Sequence, residues 1–406
     1  MIKHLCKLIW NRRRINFLIT LEIFISFLVV FAVTVLTVYY ADNYSHPLGF
    51  DYSNVWNVHL DMKRNEELKE EEKLEQMTKV RQLLAATREF GEVQTAAASI
   101  NAPYSRGNWS SGRKVNGHEV RYLVNSVTDD FKEVFGIKLV RGRWFGKEDD
   151  GANYIPIIIN RQLSRDAYGD ADPIGKVFNE TREKYDQDSP EERVIGVIDD
   201  FRKNGEFAEL RGYYITRNTL IADGKQHPPL NTLVIKVAPG TTAAFEEKLL
   251  KRLQAEAKDW SFTITPITQM REEMNQQSTV PMTAFALVAG FLMLMVGLGL
   301  IGVLWQSVTQ RLKEIGLRRA KGATRERIYR QILSELLIIT TCGALVGVLV
   351  VVQFPLLGVL GFASPKVYTY SILISLALIY TLTALCGLYP SWLATKVHPA
   401  EALHYE

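Results

Sequence analysis

The sequence predicts an α-helical integral membrane protein with four transmembrane helices and a large two-lobed α+β extracytoplasmic domain inserted between helices 1 and 2. Three observations lead there. First, long apolar stretches carry no Asp, Glu, Lys, Arg or His, as in Met274–Gln310 and Leu336–Pro365. Either exceeds the roughly 20 residues, at about 1.5 Å rise each, that cross a hydrocarbon core. Second, charge is segregated. Residues 42–280 hold 33 Lys+Arg against 38 Asp+Glu, whereas the remainder holds 15 against 6, for an overall charge of +4. Positive charge confined to the membrane part follows the rule that inward-facing loops are basic, and it argues against nucleic-acid binding. Third, residues 42–280 show strand and helix periodicities that the apolar runs lack.

The elements follow in order. Residues 1–16 are expected to form a cytoplasmic amphipathic segment, with Lys3, Lys7, Arg12, Arg13 and Arg14 beside Leu5, Leu8, Ile9 and Trp10. Residues 17–41 form the first span, with Glu22 near its inner end. A cleaved signal peptide shares the basic start. This apolar stretch is too long for one, and Tyr39-Tyr40-Ala41-Asp42 offers no small-x-small cleavage site.

The outer domain is expected over 42–280. Trp56, Val58 and Leu60 alternate with polar neighbours, a helix covers about Lys63–Phe90, and Val93–Ile100 reads as a strand. The grammar returns near the end of the domain. Leu233, Ile235 and Val237 alternate, Pro239-Gly240-Thr241 turns, Phe245, Leu249 and Leu253 line a helix, and Phe262 and Ile264 mark a strand. Both ends of the domain must return to the bilayer, so the two units are expected to pair in one split layer, about 50–100 with 231–267. Two unrelated small domains are the alternative. The inserted lobe, about 101–230, shows strands at Ile155–Ile159 and Val194–Ile198 and a helix at Gln162–Tyr168. Gly107–Gly112 reads as a Gly/Ser-rich loop.

Residues 281–406 carry the remaining spans, about 283–305, 332–352 and 370–393, with Pro390 closing the last helix. Gly343-x-x-x-Gly347 offers a small-residue ridge for close helix packing. Four spans place both termini in the cytoplasm and the large domain outside.

Between the second and third spans, Arg311–Arg330 holds eight basic residues and two acids. Leu312, Ile315 and Leu317 share a helical side, Gly322 suits a left-handed C′ position, and Thr324 suits the N-cap of the next helix. The capping box is missing because Arg327 stands where Glu or Gln would be. Such a loop is either a solvated topogenic turn or a docking element.

Catalytic signatures are absent. No G-x-x-x-x-G-K-[ST] occurs, the seven histidines form no His-x-x-x-His pair, and no metal site is expected. Cys6, Cys342 and Cys386 lie at or in the membrane, leaving the outer domain without a disulfide. Glu22 and Glu335 are the acids near the inner ends of spans, positions where an acid can mark an ion path.

The run Glu314-Ile315-Gly316-Leu317-Arg318-Arg319-Ala320-Lys321-Gly322-Ala323-Thr324, followed by Ile328, resembles the signature of the FtsX-like permease family, which includes MacB-type and lipoprotein-releasing permeases. Asp130–Ile137, Leu139–Arg143, Asp172–Lys176 and Val194–Asp200 are similar to the periplasmic core domain of MacB-type permeases, and Tyr389–Leu403 is similar to the family's ending. Lys321 and His404 depart from the pattern. The resemblance implies a membrane subunit of an ABC system of the inner membrane, coupling hydrolysis by a separate ATPase subunit, which binds the ATP and Mg, to movement of a periplasmic domain for export or efflux. It implies Glu314 as a hydrogen-bonding contact to that ATPase and Arg318 and Arg319 as electrostatic anchors. Gly322 would allow the bend, with Ala323 and Thr324 setting the close approach. It further implies a dimer with itself or a similar permease, and a periplasmic adaptor and outer-membrane channel as further partners. The alternative is an FtsX-type signalling protein that regulates a cell-wall hydrolase.

Overall fold

In the computed structural model, the described residues are 13–62, 70–178, 190–221, 227–310, 317–318 and 321–396. They form two compact units, Met1–Asp42 with Thr279–Glu406, and Asn43–Ser278. In chain order come α1 (Arg13–Ser45), β1 (Val55–Asp61), α2 (Glu70–Arg88), β2 (Val93–Ser99), β3 (Ser110–Val115) and β4 (His118–Val127). Then follow α3 (Phe131–Phe135), β5 (Leu139–Gly142), β6 (Tyr154–Asn160), α4 (Arg161–Tyr168), β7 (Glu191–Ile198) and β8 (Gly212–Arg217). The chain continues with β9 (Thr232–Val237), α5 (Ala243–Glu256), β10 (Ser261–Pro266), α6 (Ile267–Thr309), α7 (Arg325–Val351), α8 (Gln353–Leu356) and α9 (Pro365–Lys396).

Among the described residues, four helices are long and apolar enough to cross a membrane, over Phe17–Ser45, Ile267–Gly302, Arg325–Leu356 and Pro365–Leu388. Their shared core includes Ile19, Ile23, Phe27, Phe31, Leu300, Leu336, Ile339, Val367 and Ile379. Glycine sets the closest approaches. A Cβ on Gly343 would lie 2.9 Å from the Thr20 carbonyl oxygen, and one on Gly347 would overlap the Phe27 ring. The ridge therefore seats α7 against α1, where a side chain would hold the helices apart. Glu22 occupies the space a Cβ on Gly299 would need.

Helix α7 begins at Arg325 with Thr324 as its N-cap, about two turns ahead of residue 332, the expected start of the span. One boundary differs from expectation. Helix α9 passes Pro390 and ends at Lys396. A proline removes one helical hydrogen bond, and that loss is tolerated in membrane helices more readily than in soluble ones. The expected amphipathic segment, apart from its last residues, and the C-terminal tail from residue 397 lie outside the described residues.

The outer unit is built on one sheet of order β10-β1-β9-β2-β4-β8-β6-β7-β5, with β3 added to β4. The outermost strand–helix–strand units share one half: β1 pairs antiparallel with β10 and β9, and β9 with β2. In the other half β4 and β8, and β6 and β7, are parallel. A single described pair, Ser99 with Val127, joins β2 to β4. Alternation assigns the faces. Trp56, Val58 and Leu60 pack under α2 and α5 with Leu83, Phe245, Leu249 and Leu253. Ile157 and Ile159 face Leu163 and Ala167 of α4, while Ile158 points to the opposite core with Phe131, Phe135 and Tyr213. Ser110–Gly112, expected in a loop, instead opens β3, whose register runs from Ser110 with Leu123 to Val115 with His118. The positive φ of Asn116 and Gly117 makes the intervening two-residue turn.

A buried loop, residues 201–208, ties the ends of this unit together. Asn43 Nδ2 donates to the Phe207 carbonyl at 3.3 Å, and the Tyr44 and Phe207 rings lie 5.4 Å apart. Arg271 Nε, in the second turn of α6, meets Glu206 Oε1 at 2.5 Å, while Tyr104 Oη donates to the other oxygen at 3.4 Å. Gly205 takes a φ of +87°, and a Cβ there would meet the Tyr104 ring at 2.9 Å. Arg202 Nη2 donates to the Glu206 and Ala208 carbonyls, and Lys203 Nζ to the carbonyls of Ser105 and Gly107 and to Asn108 Oδ1.

Replacing Gly347 by Val should lower the stability of the detergent-solubilised protein by about 1–3 kcal/mol, the usual cost of overfilling a packed site. Adding Phe27→Leu should recover part of it, a coupling readable from the thermal midpoints of the four forms. A second expectation concerns pH. Burial pulls the Lys203 ammonium down to about 8 from an unfolded value of 10.5. Between those pH values the unfolded chain binds more protons than the folded one, so stability should rise with pH across that window. Lys203→Met should flatten the rise in a pH series of denaturation midpoints, and an unchanged slope would remove Lys203 as its origin.

Candidate functional site

The apolar helices α6 and α7 are separated by the basic stretch, and its described part is a helix end followed by a helix start. Leu317 and Arg318 close the first helix. Lys321 N–H donates to the Leu317 carbonyl at 3.1 Å and Ala323 N–H to the Arg318 carbonyl at 3.0 Å. The second bond, which spans five residues, with Gly322 at a φ of +90°, is the Schellman arrangement, with glycine where an L side chain would be strained. Thr324 then caps α7. Its Oγ1 accepts from Arg327 N–H at 3.3 Å. Glu326 lies in the first turn, where the helix dipole favours an acid, and pairs with Arg330 at 2.7 Å.

Beneath this exposed surface sits a small apolar seat. Ile328 is buried against Ala323 and Ile332. Lys321, Gly322, Thr324, Arg325, Arg327 and Arg330 are exposed. The structure thus brings Gly322, Ala323 and Thr324 together in one turn, open to solvent on one side and anchored on the other. Among the described residues nothing lies within 4 Å of a Cβ placed on Gly322, so what glycine supplies there is the positive φ and not space. Glu314 and Arg319 lie outside the described residues.

Arg318 does not stand out as an exposed anchor, because it is half-buried and turned inward. Its Nη1 donates to Gln331 Oε1 at 2.9 Å, and Gln331 Nε2 donates to Glu335 Oε1 at 3.1 Å. Glu335 is 6 % exposed. A chain of polar contacts therefore leads from the turn into the core of α7. Sequence reasoning marked Glu335 only as an isolated acid and passed over Gln331. The available signal was their spacing of four, which puts both on one helix face. Gly343 and Gly347 continue α7 two turns further on and face α1. Among the described residues, no group of three or more His, Cys, Asp or Glu could hold a metal ion.

Comparison with known proteins bears on what this turn belongs to. Residues 286–399 match the FtsX-like permease C-terminal family, and residues 17–252 match the MacB-like periplasmic core domain. The chain is 26% identical over 292 residues to the macrolide export ATP-binding/permease protein MacB of Bdellovibrio bacteriovorus, covering 70% of this chain and 44% of that protein. It is 26% identical over 334 residues to the MacB of Agrobacterium fabrum, covering 78% and 50% respectively. It is 25% identical over 301 residues to the uncharacterized ABC transporter permease YknZ of Bacillus subtilis, covering 73% and 74%. The chain thus spans about half the length of the MacB relatives. Among solved structures, the periplasmic region of MacB from Actinobacillus actinomycetemcomitans aligns with a TM-score of 0.37 at 14% identity, covering 55% of this chain and 94% of that one. With the core-domain match covering more than half of the sequence and the permease match covering the stretch that contains the Gly322 turn, the chain belongs to the MacB-type ABC transporter permease family.

Proposed function

We propose that this chain is the membrane subunit of an ABC exporter, in which the Leu317–Thr324 turn receives the stroke of a separate ATPase subunit that binds the ATP and Mg. The observation that carries this reading is the build of the turn: a glycine-ended helix, an exposed basic and small-residue surface, and a polar link from Arg318 through Gln331 to Glu335. A solvated loop that only set topology would need the charges and not the buried link. The corner with exposed Gly322 and Thr324 around Ala323 suits close approach by another protein, and the surrounding cations suit an acidic partner surface.

In this reading the basic turn and both termini lie in the cytoplasm and the sheet unit lies in the periplasm. Two copies, or this chain with a similar permease, pair in the bilayer. The two halves of the sheet act as two lobes whose rearrangement moves the exported molecule. Helix α6 is continuous from Ile267 to Thr309 and carries displacement along its length. A periplasmic adaptor and an outer-membrane channel would complete the route.

Three outcomes are expected. Co-expressed with its ATPase subunit, the chain should stimulate ATP turnover, and Glu314→Ala with Gly322→Leu should abolish the stimulation while leaving membrane insertion intact. Thr324→Ala should cost about 1 kcal/mol of helix stability through the lost cap and weaken stimulation less. Cysteine labelling from either side of the membrane should place Lys313 and Lys248 on opposite faces. Labelling of both from one side would overturn the topology, and co-purification with a cell-wall hydrolase in place of a transport partner would favour a signalling role.

A further inference from the structure

The outer unit contains a cavity of about 370 Å³ that the coupling reading does not use. It lies within the size range of small-molecule sites, roughly 300–1,000 Å³, and near its lower end. One wall is a face of α6: Met270, Glu273, Met274 and Gln277 fall at positions i, i+3, i+4 and i+7. The opposite side comes from β1 and from the loop that follows β2, including Asn57, Ser105 and Arg106.

Three features of the lining point to one ligand chemistry. Asn57 is 7 % exposed, yet its Oδ1 has no hydrogen-bond partner, and neither has Ser105 Oγ. A buried acceptor without a donor costs free energy that a ligand N–H can recover, and rotation of the amide about its last torsion lets the group meet a ligand. Arg106 is exposed at the cavity and makes no ion pair among the described residues. Glu273 accepts only from Gln269, at 3.1 Å, so its carboxylate has no cationic partner there. One unpaired cation, one unpaired anion and an amide-seeking acceptor share a cavity whose apolar surface includes, beside Ile100 and Tyr104, two methionines, side chains that adapt to varied shapes.

We propose that this cavity binds a short zwitterionic peptide of two or three residues, its carboxylate on Arg106, its ammonium on Glu273 and a backbone N–H on the Asn57 side chain. Occupancy engages the face of α6, the same helix that runs on through an apolar span. The loop forming the far wall is held by Lys203 through the Ser105 and Gly107 carbonyls, so the site is braced by the loop that also holds Arg271.

The test is binding to the full chain in detergent at pH 7, followed by thermal unfolding, with an equimolar pool of Ala-Xaa-Ala tripeptides as probe. The free-terminus pool should raise the unfolding midpoint. The same pool acetylated at the amine and amidated at the carboxylate should not. Arg106→Gln, a surface change that leaves packing alone, should weaken the response at least tenfold in concentration, and Glu273→Gln should do likewise. An equal shift from the blocked pool, a wild-type response in Arg106→Gln, or no shift at 10 mM peptide would each overturn the assignment. The assay involves no ATPase, so its outcome is independent of the coupling experiment.

Discussion

Hydrocarbon cannot hydrogen-bond a peptide group, and that constraint shapes the permease half of the chain down to single side chains. Each apolar run must become a helix, and each polar side chain inside must find a partner on its own helix or the next. Thr34, Thr340, Ser371 and Ser375 are buried in this unit, and each returns its hydroxyl to the carbonyl four residues back. With these four hydroxyls settled locally, and Thr383 Oγ1 left without a partner among the described residues, association is left to shape. Gly343 and Gly347 then matter because they let α7 approach α1 to backbone contact, where dispersion forces replace the hydrophobic effect that lipid does not supply.

The sheet unit is organised differently. Its sheet has helices α2 and α5 on one face of one half and α4 on a face of the other. A core of aromatic residues, with Phe131, Phe135, Phe201 and Tyr213, lies on the remaining face. The loop at 201–208 is the unusual part, since a buried loop must satisfy its own backbone. Charge does part of this: Arg202 Nη2 donates to the loop's own Glu206 and Ala208 carbonyls, Lys203 ties the loop to the Ser105 and Gly107 carbonyls, and Glu206 is shared by Arg271 and Tyr104. Burial beside that carboxylate raises the Tyr104 phenol well above its ordinary value, so it remains a donor. One loop thereby fixes residues from the end of α1 and from the start of α6 within the same unit.

The turn at Gly322 and the cavity beside Met270 are related by chemistry. Each is a place where groups are held ready rather than satisfied: exposed cations and a capped helix start at one, an orphaned amide oxygen and two unpaired charges at the other. Fully paired residues elsewhere, such as Arg217 between Asp129 and Asp150, read as structural by the same criterion. This contrast between spent and unspent polar groups is what separates candidate sites from scaffold in a chain with no catalytic motif.

The sequence by itself determined the membrane class, the four apolar helices, and the local conformation at Gly322 and Thr324. These follow from composition and from rules that act over a few residues: burial of apolar side chains, the φ freedom of glycine, the reach of a threonine hydroxyl. It also carried the Trp56 and Ile235 strands, through their alternation, and the Ile157 strand, through its continuous apolar run. Only the tertiary structure decided that β3, β4 and β8 exist and that the inserted strands extend the same sheet. In β4, Glu119 and Arg121 alternate with Val120 and Tyr122, but the pattern is lost at Leu123, Val124 and the buried Asn125 and Ser126, and a partner strand far along the chain supplies what the local pattern lacks. The inward turn of Arg318 onto Gln331, and the meeting of Asn57 with Glu273 in one cavity, were likewise invisible in sequence, because each depends on residues that only long-range packing brings within a few ångströms.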